Sequence, residues 1–161
     1  MLINKKRKDE PMSHIKTAVI VLIMAMILSL VLTYASIMTI VQTTKSNTER
    51  VLNSFVTQNA TYIYSSIKNG NDFTASIDSW YFIYKFYIDG TLDYDGLYFY
   101  NKDSKGDYNF RMTTPQTAFT AINTLNLTCT FDILIPIDFA EKRVTELIIP
   151  IQVKTSYNIK N

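Results

Sequence analysis

KTAVIVLIMAMILSLVLTYASIMTIVQ, Lys16 to Gln42, decides how the rest of the chain is read. Inside it, the 25 residues Thr17–Val41 carry no charge. A helix needs about 20 such residues to cross a bilayer core. It also satisfies its own backbone hydrogen bonds, which lipid cannot do. The stretch is therefore predicted to be a transmembrane helix. Five cations precede or open it, Lys5, Lys6, Arg7, Lys8 and Lys16, against Lys45 and Arg50 close behind it. That asymmetry predicts residues 1–16 in the cytoplasm and everything after Gln42 outside. Thr33-Tyr34-Ala35 loosely matches the small residues before a signal-peptidase site, yet the apolar run continues through Ile37, Met38, Ile40 and Val41. A retained single-pass anchor is expected over a cleaved signal peptide.

The helix is not expected to stop at the membrane. No Pro or Gly follows Val41 until Gly70. Val51, Leu52, Phe55, Val56, Tyr62, Ile63 and Ile67 recur in steps of three and four, which marks one helical face. Asn69-Gly70 supplies a stop. One helix from about Ile15 to Lys68 is predicted. Its outer part, 42–69, should dock on a following domain through Val51, Leu52, Phe55, Ile63 and Ile67. Within the span, Ala25, Ser29, Thr33 and Ser36 fall on one narrow stripe, where small residues let a second helix approach closely.

Residues 70–161 are predicted to form an antiparallel β domain. Trp80–Asp89 (WYFIYKFYID) is dense in aromatic and β-favouring residues and reads as a strand. Gly96–Asn101 and Tyr108–Thr113 read as shorter strands joined by the turn KDSKGD. Thr113–Leu125 reads as a short helix capped by Thr114, with Pro115 at its first position and Ala118, Phe119, Ile122 and Leu125 inward. The period is clearest in two final strands. Leu127, Cys129, Phe131, Ile133, Ile135 and Ile137 alternate with polar residues, as do Leu147, Ile149, Ile151, Val153 and Tyr157, and DFAEKR joins the two as a hairpin loop. Pro136 and Pro150 cannot donate to a ladder and should sit at an edge or bulge. The expected fold class is α+β: a long amino-terminal helix on a small antiparallel sheet.

Composition narrows function by exclusion. Net charge is +2, which gives no nucleic-acid footprint. The only cysteine is Cys129 and the only histidine His14, so no internal disulfide, His-based triad or usual zinc set is expected. Thr91, Asp93, Asp95 and Gly96 match the first half of a calcium loop, but its twelfth position is Lys102, a cation. A solvated turn is the reading preferred there. Tyr81, Tyr84, Phe86, Tyr98, Tyr100, Tyr108 and Phe110 read as core or subunit packing, with a ligand platform as the alternative. No catalytic, metal or cofactor-binding residue is assigned, and no enzymatic activity is expected.

An uncharged amino-terminal helix (TAVIVLIMAMILSLVLTYASIMTIV), an amphipathic continuation (ERVLNSFVTQNATYIYSSIKNG) and a closing hairpin (FDILIPIDFAEKRVTELIIPIQVKTSY) resemble the layout of pilins. The chain looks most like TadE-like minor pilins and pseudopilins of tight-adherence loci. The Gly and the fifth-position Glu of a pilin-type leader have no counterpart, since no Gly precedes Gly70 and no Glu lies between Glu10 and Glu49. The resemblance implies a structural or accessory subunit of a surface appendage or secretion machine. Its implied partners are the lipid bilayer, pilin-like or secretion-system membrane proteins, and copies of itself. A membrane-tethered module that binds a ligand or partner outside the cell is the alternative.

Overall fold

In the computed structural model, Pro11–Lys68 forms one 58-residue helix, α1. The structure describes residues 11–70, 79–90, 92–102, 104, 106–121, 124–139 and 142–158. Pro11 opens α1, where a missing N–H costs nothing. At its end Asn69 N–H reaches the Ser65 carbonyl at 3.1 Å, and Gly70 takes a positive φ of 67°, as a helix stop requires. The threonines that weaken helix propensity are accommodated locally. The hydroxyls of Thr33, Thr39, Thr48 and Thr57 donate to the carbonyls of Ser29, Ala35, Thr44 and Asn53, four residues back.

The chain divides into two compact units, 1–39 and 40–161. In the first, α1 is long and apolar enough to cross a membrane. Large apolar side chains from Ile15 to Tyr34 are exposed on every side of it. Among the described residues, the second unit holds the rest of α1, a second helix α2 (Ser79–Gly90) and six strands: β1 (Asp93–Tyr94), β2 (Tyr98–Lys102), β3 (Tyr108–Thr113), β4 (Gln116–Ala121), β5 (Thr124–Phe139) and β6 (Lys142–Asn158). All pairings are antiparallel. β5 is central. β6 runs along one side of it for its whole length, while β4 and then β3 share its other side. This is the expected α+β architecture.

The inner face of the sheet carries Leu125, Leu127, Cys129, Phe131, Ile133 and Ile135, all buried. Phe55 of α1 meets Phe119 of β4 with ring centroids 5.8 Å apart. Phe86 of α2 meets Phe99 of β2 and Phe131 of β5. Both helices thus cover this face.

Two elements differ from the sequence reading. Trp80–Asp89 lies in α2, not in a strand. A short apolar run does not separate buried helix from strand by itself. Here the helical period decides, because Phe86 is buried while Tyr84, Tyr87 and Ile88 face solvent. Residues 70–161 therefore contain a helix as well as the sheet. Conversely, the described residues of Thr113–Leu125 hold no helix. β3 ends at Thr113, β4 spans Gln116–Ala121, and Leu125 belongs to β5. Thr117 and Phe119 are half-buried, with Gln116, Ala118 and Thr120 exposed between them, which is the two-residue period of a strand. β-branched threonine favours that backbone over helix. Ile122 lies outside the described residues. The closing hairpin is tighter than read, since β5 reaches Phe139 and β6 starts at Lys142.

The prolines sit where a missing donor is harmless. Alternate residues of an antiparallel strand turn their backbone groups to alternate sides. Asp132 N–H donates to Thr113 Oγ1 on the β3 side. Pro150, opposite Asp132, therefore turns its nitrogen away from β5, to the side of β6 that no described strand pairs. Pro136 has the same phase as Asp132 and lies past Leu134, where register with β3 has ended.

Candidate functional site

The outer face of the sheet gathers a tyrosine–arginine cluster. β2 contributes Tyr98 and Tyr100, β3 contributes Tyr108 and Arg111, and β6 contributes Arg143 and Glu146. The Arg111 guanidinium lies 4.6 Å from the Tyr98 ring centre and 5.9 Å from that of Tyr108. Arg143 covers the Tyr108 ring at 4.1 Å. Rings and guanidinium groups thus alternate across the face, each cation lying over a π-system that attracts it. Glu146 ties the row together. Its Oε2 meets Arg111 Nη2 at 2.5 Å, and its Oε1 accepts the Tyr108 hydroxyl at 2.6 Å.

A bulge makes this cluster possible. Tyr108 has the sequence phase of Phe110 and Met112, which belong to the inner face. The β2–β3 register shifts between Asn101 and Lys102, so that Asn101 faces Phe110 and Lys102 faces Tyr108. The extra residue, Asn109, turns Tyr108 to the outer face beside Arg111.

Protonation states follow from these contacts. The Tyr108 hydroxyl, and then the Arg111 guanidinium, hold the Glu146 carboxyl below its usual range. Burial, and then Glu146, push the Tyr108 phenol up. Next to the cluster, Asp95 Oδ2 accepts the Tyr100 hydroxyl at 2.6 Å, and Asp95 Oδ1 accepts the N–H groups of Leu97 and Tyr98. The hydroxyl of Tyr100 and these backbone donors bring Asp95 down to about 2. Tyr100 and Tyr108 thus stay protonated, and Glu146 and Asp95 ionised, at neutral pH. The face offers hydroxyls, guanidinium edges and ring edges to a partner.

The residues singled out in the sequence fall in different places. Of the aromatic set's described side chains, Tyr98, Tyr100 and Tyr108 come together on the outer face. Their rings meet edge-on, at 66° and 69°. Guanidinium groups already lie over Tyr98 and Tyr108, so this is not a flat stacking platform. Phe86 is core, Phe110 is half-buried and Tyr84 is exposed. The side chain of Tyr81 is outside the described residues. Asp93 pairs with Lys102 at 2.8 Å, the residue at the position where a calcium loop needs its glutamate. Among the described residues, no three His, Cys, Asp or Glu side chains gather as metal ligands do.

Val51, Leu52, Phe55 and Ile63 of α1 are buried, and the Ile67 side chain is outside the described residues. Sequence reading missed their polar neighbours. Thr44, Thr48 and Ser66 are buried on the same helical face. The Tyr157 hydroxyl of β6 donates to Asn53 Oδ1 at its margin. Steps of four from Thr44 to Thr48 and of three from Thr48 to Val51 were the available signal. Ala25, Ser29, Thr33 and Ser36 are exposed in the single chain, and the Thr33 hydroxyl is spent on the Ser29 carbonyl. No protein-family model, curated protein or solved structure matches the chain.

Proposed function

We propose that the chain is a membrane-anchored, pilin-like structural or accessory subunit of a surface appendage, of the tight-adherence kind, or of a secretion machine. The observation that supports this reading is the continuity of α1. One helix carries apolar side chains exposed on every side over Ile15–Tyr34 and then a buried stripe through Val51, Leu52 and Phe55. Side chains exposed all round suit a medium that is itself apolar. The buried stripe ties the same helix to an extracytoplasmic sheet. In this reading residues 1–16 are cytoplasmic, 43–161 lie outside, and the partners are lipid and other pilin-like or secretion-system membrane proteins.

Self-association or partner binding then runs through Ala25, Ser29, Thr33 and Ser36. Close approach of small residues is what drives helix association where lipid removes the hydrophobic drive. The test is cysteine cross-linking in cells that contain the native partners, in a Cys129→Ser background. Ala25→Cys, Ser29→Cys, Thr33→Cys and Ser36→Cys should cross-link, and Ile20→Cys, Ile27→Cys and Val31→Cys on the far side should not. Uniform or absent cross-linking would refute it.

A second reading, an extracytoplasmic partner-binding module, draws on the outer face. Its Tyr and Arg side chains are the types that dominate protein interfaces. Exposed Leu97, Val144 and Ile148 belong to the strands and turn that carry them. Tyr98→Ala combined with Arg143→Ala would abolish partner capture in this reading and leave the helix cross-links unchanged.

A further inference from the structure

The strands of the sheet are not joined equally. β5 pairs with β6 from Thr124 to Phe139 and with β4 from Leu125 to Thr130. β1, β2 and β3 form a second block. Between the blocks, the register holds only Arg111 opposite Leu134 and Met112 opposite Ile133. One side-chain bond supplements that seam, from Asp132 N–H to Thr113 Oγ1 at 2.9 Å. Cooperative units separate where the fewest bonds must break, so the seam is the line along which the sheet opens first.

A different contact bridges the seam on each face. On the inner face Phe86 stands 6.2 Å from Phe99 in β2 and 6.5 Å from Phe131 in β5. That contact is apolar and non-directional, so it tolerates a change of angle. On the outer face Glu146 of β6 reaches past β5 to β3, binding Arg111 at 2.5 Å and Tyr108 at 2.6 Å. Those bonds depend steeply on angle and distance and do not survive such a change. Glu146 is also held in place, since it and Arg111 keep only 21% and 25% of their side-chain surface exposed. Arg143, the remaining cation of the cluster, lies on the Glu146 strand and is drawn to Asp138 of β5 at 3.6 Å. It does cross the seam, over the Tyr108 ring at 4.1 Å, but a cation over a ring face tolerates a change of angle better than the Glu146 bonds do.

We infer that Glu146 is a latch that holds the β1–β2–β3 block shut against the β4–β5–β6 block, with the Phe86 contact as the hinge. Release opens the sheet on its outer face. Opening uncovers Leu134, now 7% exposed, which lies directly opposite Arg111 on that face and next to exposed Ile148. It also frees facing edges of β3 and β5, the groups to which an extended strand can add. This device is independent of the pilin-like reading and holds for any function of the domain.

Hydrogen–deuterium exchange of the full chain in detergent micelles tests the latch. Glu146→Ala should speed exchange of the 98–113 amides about ten-fold or more, the factor expected when hydrogen bonds to a charged group are lost. Amides of 127–131 and 151–155, in the β5–β6 ladder, should change less than about three-fold. Tyr108→Phe removes one of the two latch bonds and keeps the ring. It should give an intermediate acceleration confined to the same block, and it serves as the test should Glu146→Ala fail to fold. Asp138→Asn, which weakens a pair between β5 and β6 and keeps Arg143 over the Tyr108 ring, should leave the seam unchanged. Equal acceleration in both blocks, or none in 98–113, would overturn the latch.

Discussion

Phe55→Ala measures how much of the fold depends on the second half of α1. The Phe55 side chain is 3% exposed, and its ring lies 5.8 Å from that of Phe119. Burying a large apolar side chain is worth roughly 1.5–3 kcal/mol. Removing it also leaves a cavity whose cost adds to that, so phenylalanine-to-alanine changes in cores reach about 3–5 kcal/mol. The site has little means of collapse, because Val51 and Leu52 are themselves fully packed on the same stripe. A loss of about 3 kcal/mol or more is expected, near half the stability of a marginal domain. The assay is urea unfolding of the detergent-solubilised full chain, followed by near-ultraviolet circular dichroism. The control is Thr57→Ala. Thr57 is exposed and bonds only the Asn53 carbonyl of its own helix, so its loss should stay within about 0.5 kcal/mol. Equal losses for the two variants would refute the assignment of the helical face.

Three further outcomes are expected. Burial pushes the Cys129 thiol up to about 12, so at pH 8 iodoacetamide should leave it unmodified in the folded chain and label it in urea, as read by mass spectrometry. Asp95 is depressed from 3.8 to about 2, so its contribution to the β1–β2 turn is present above pH 3.8 and is lost as pH falls through about 2; its carboxyl carbon resonance should titrate near that value, and Asp95→Asn should remove the transition. Protease added to intact spheroplasts should digest 43–161, while peptides from 1–16 remain joined to the span; a protected domain, or a mature end at Ser36, would contradict the proposed topology or the retained anchor respectively.

Legibility in the sequence followed the length of each periodic signal. α1 was readable because 58 residues contain no internal breaker and carry two successive apolar patterns. β5 and β6 were readable because six inner positions in a row keep a period of two. α2 and β4 were not, for opposite reasons. WYFIYKFYI is apolar at nearly every position, so it offers no contrast from which a period is taken. TTPQTAFTA imitates a capped helix start, and only pairing with Leu125–Thr130 makes it a strand. The outer-face cluster was hidden by one residue. A reader who counts faces by alternation puts Tyr108 with Met112, and only the bulge at Asn109 brings it to Arg111 and Glu146.

The order in which these parts leave the ribosome has its own consequence. The stripe of Val51, Leu52 and Phe55 is synthesised more than sixty residues before Phe119, the ring it meets. Asn53 waits 104 residues for Tyr157. β4, β5 and β6 pair locally and can assemble as soon as they emerge, whereas the helix has nothing to close upon until then. In the proposed topology, the domain therefore passes during translocation through an interval in which a sticky helix hangs beyond the membrane without its cover. Its yield in the cell should depend on how quickly the chain is delivered or on a chaperone that shields 44–66 meanwhile. Slowed export is expected to aggregate this protein before it unfolds it.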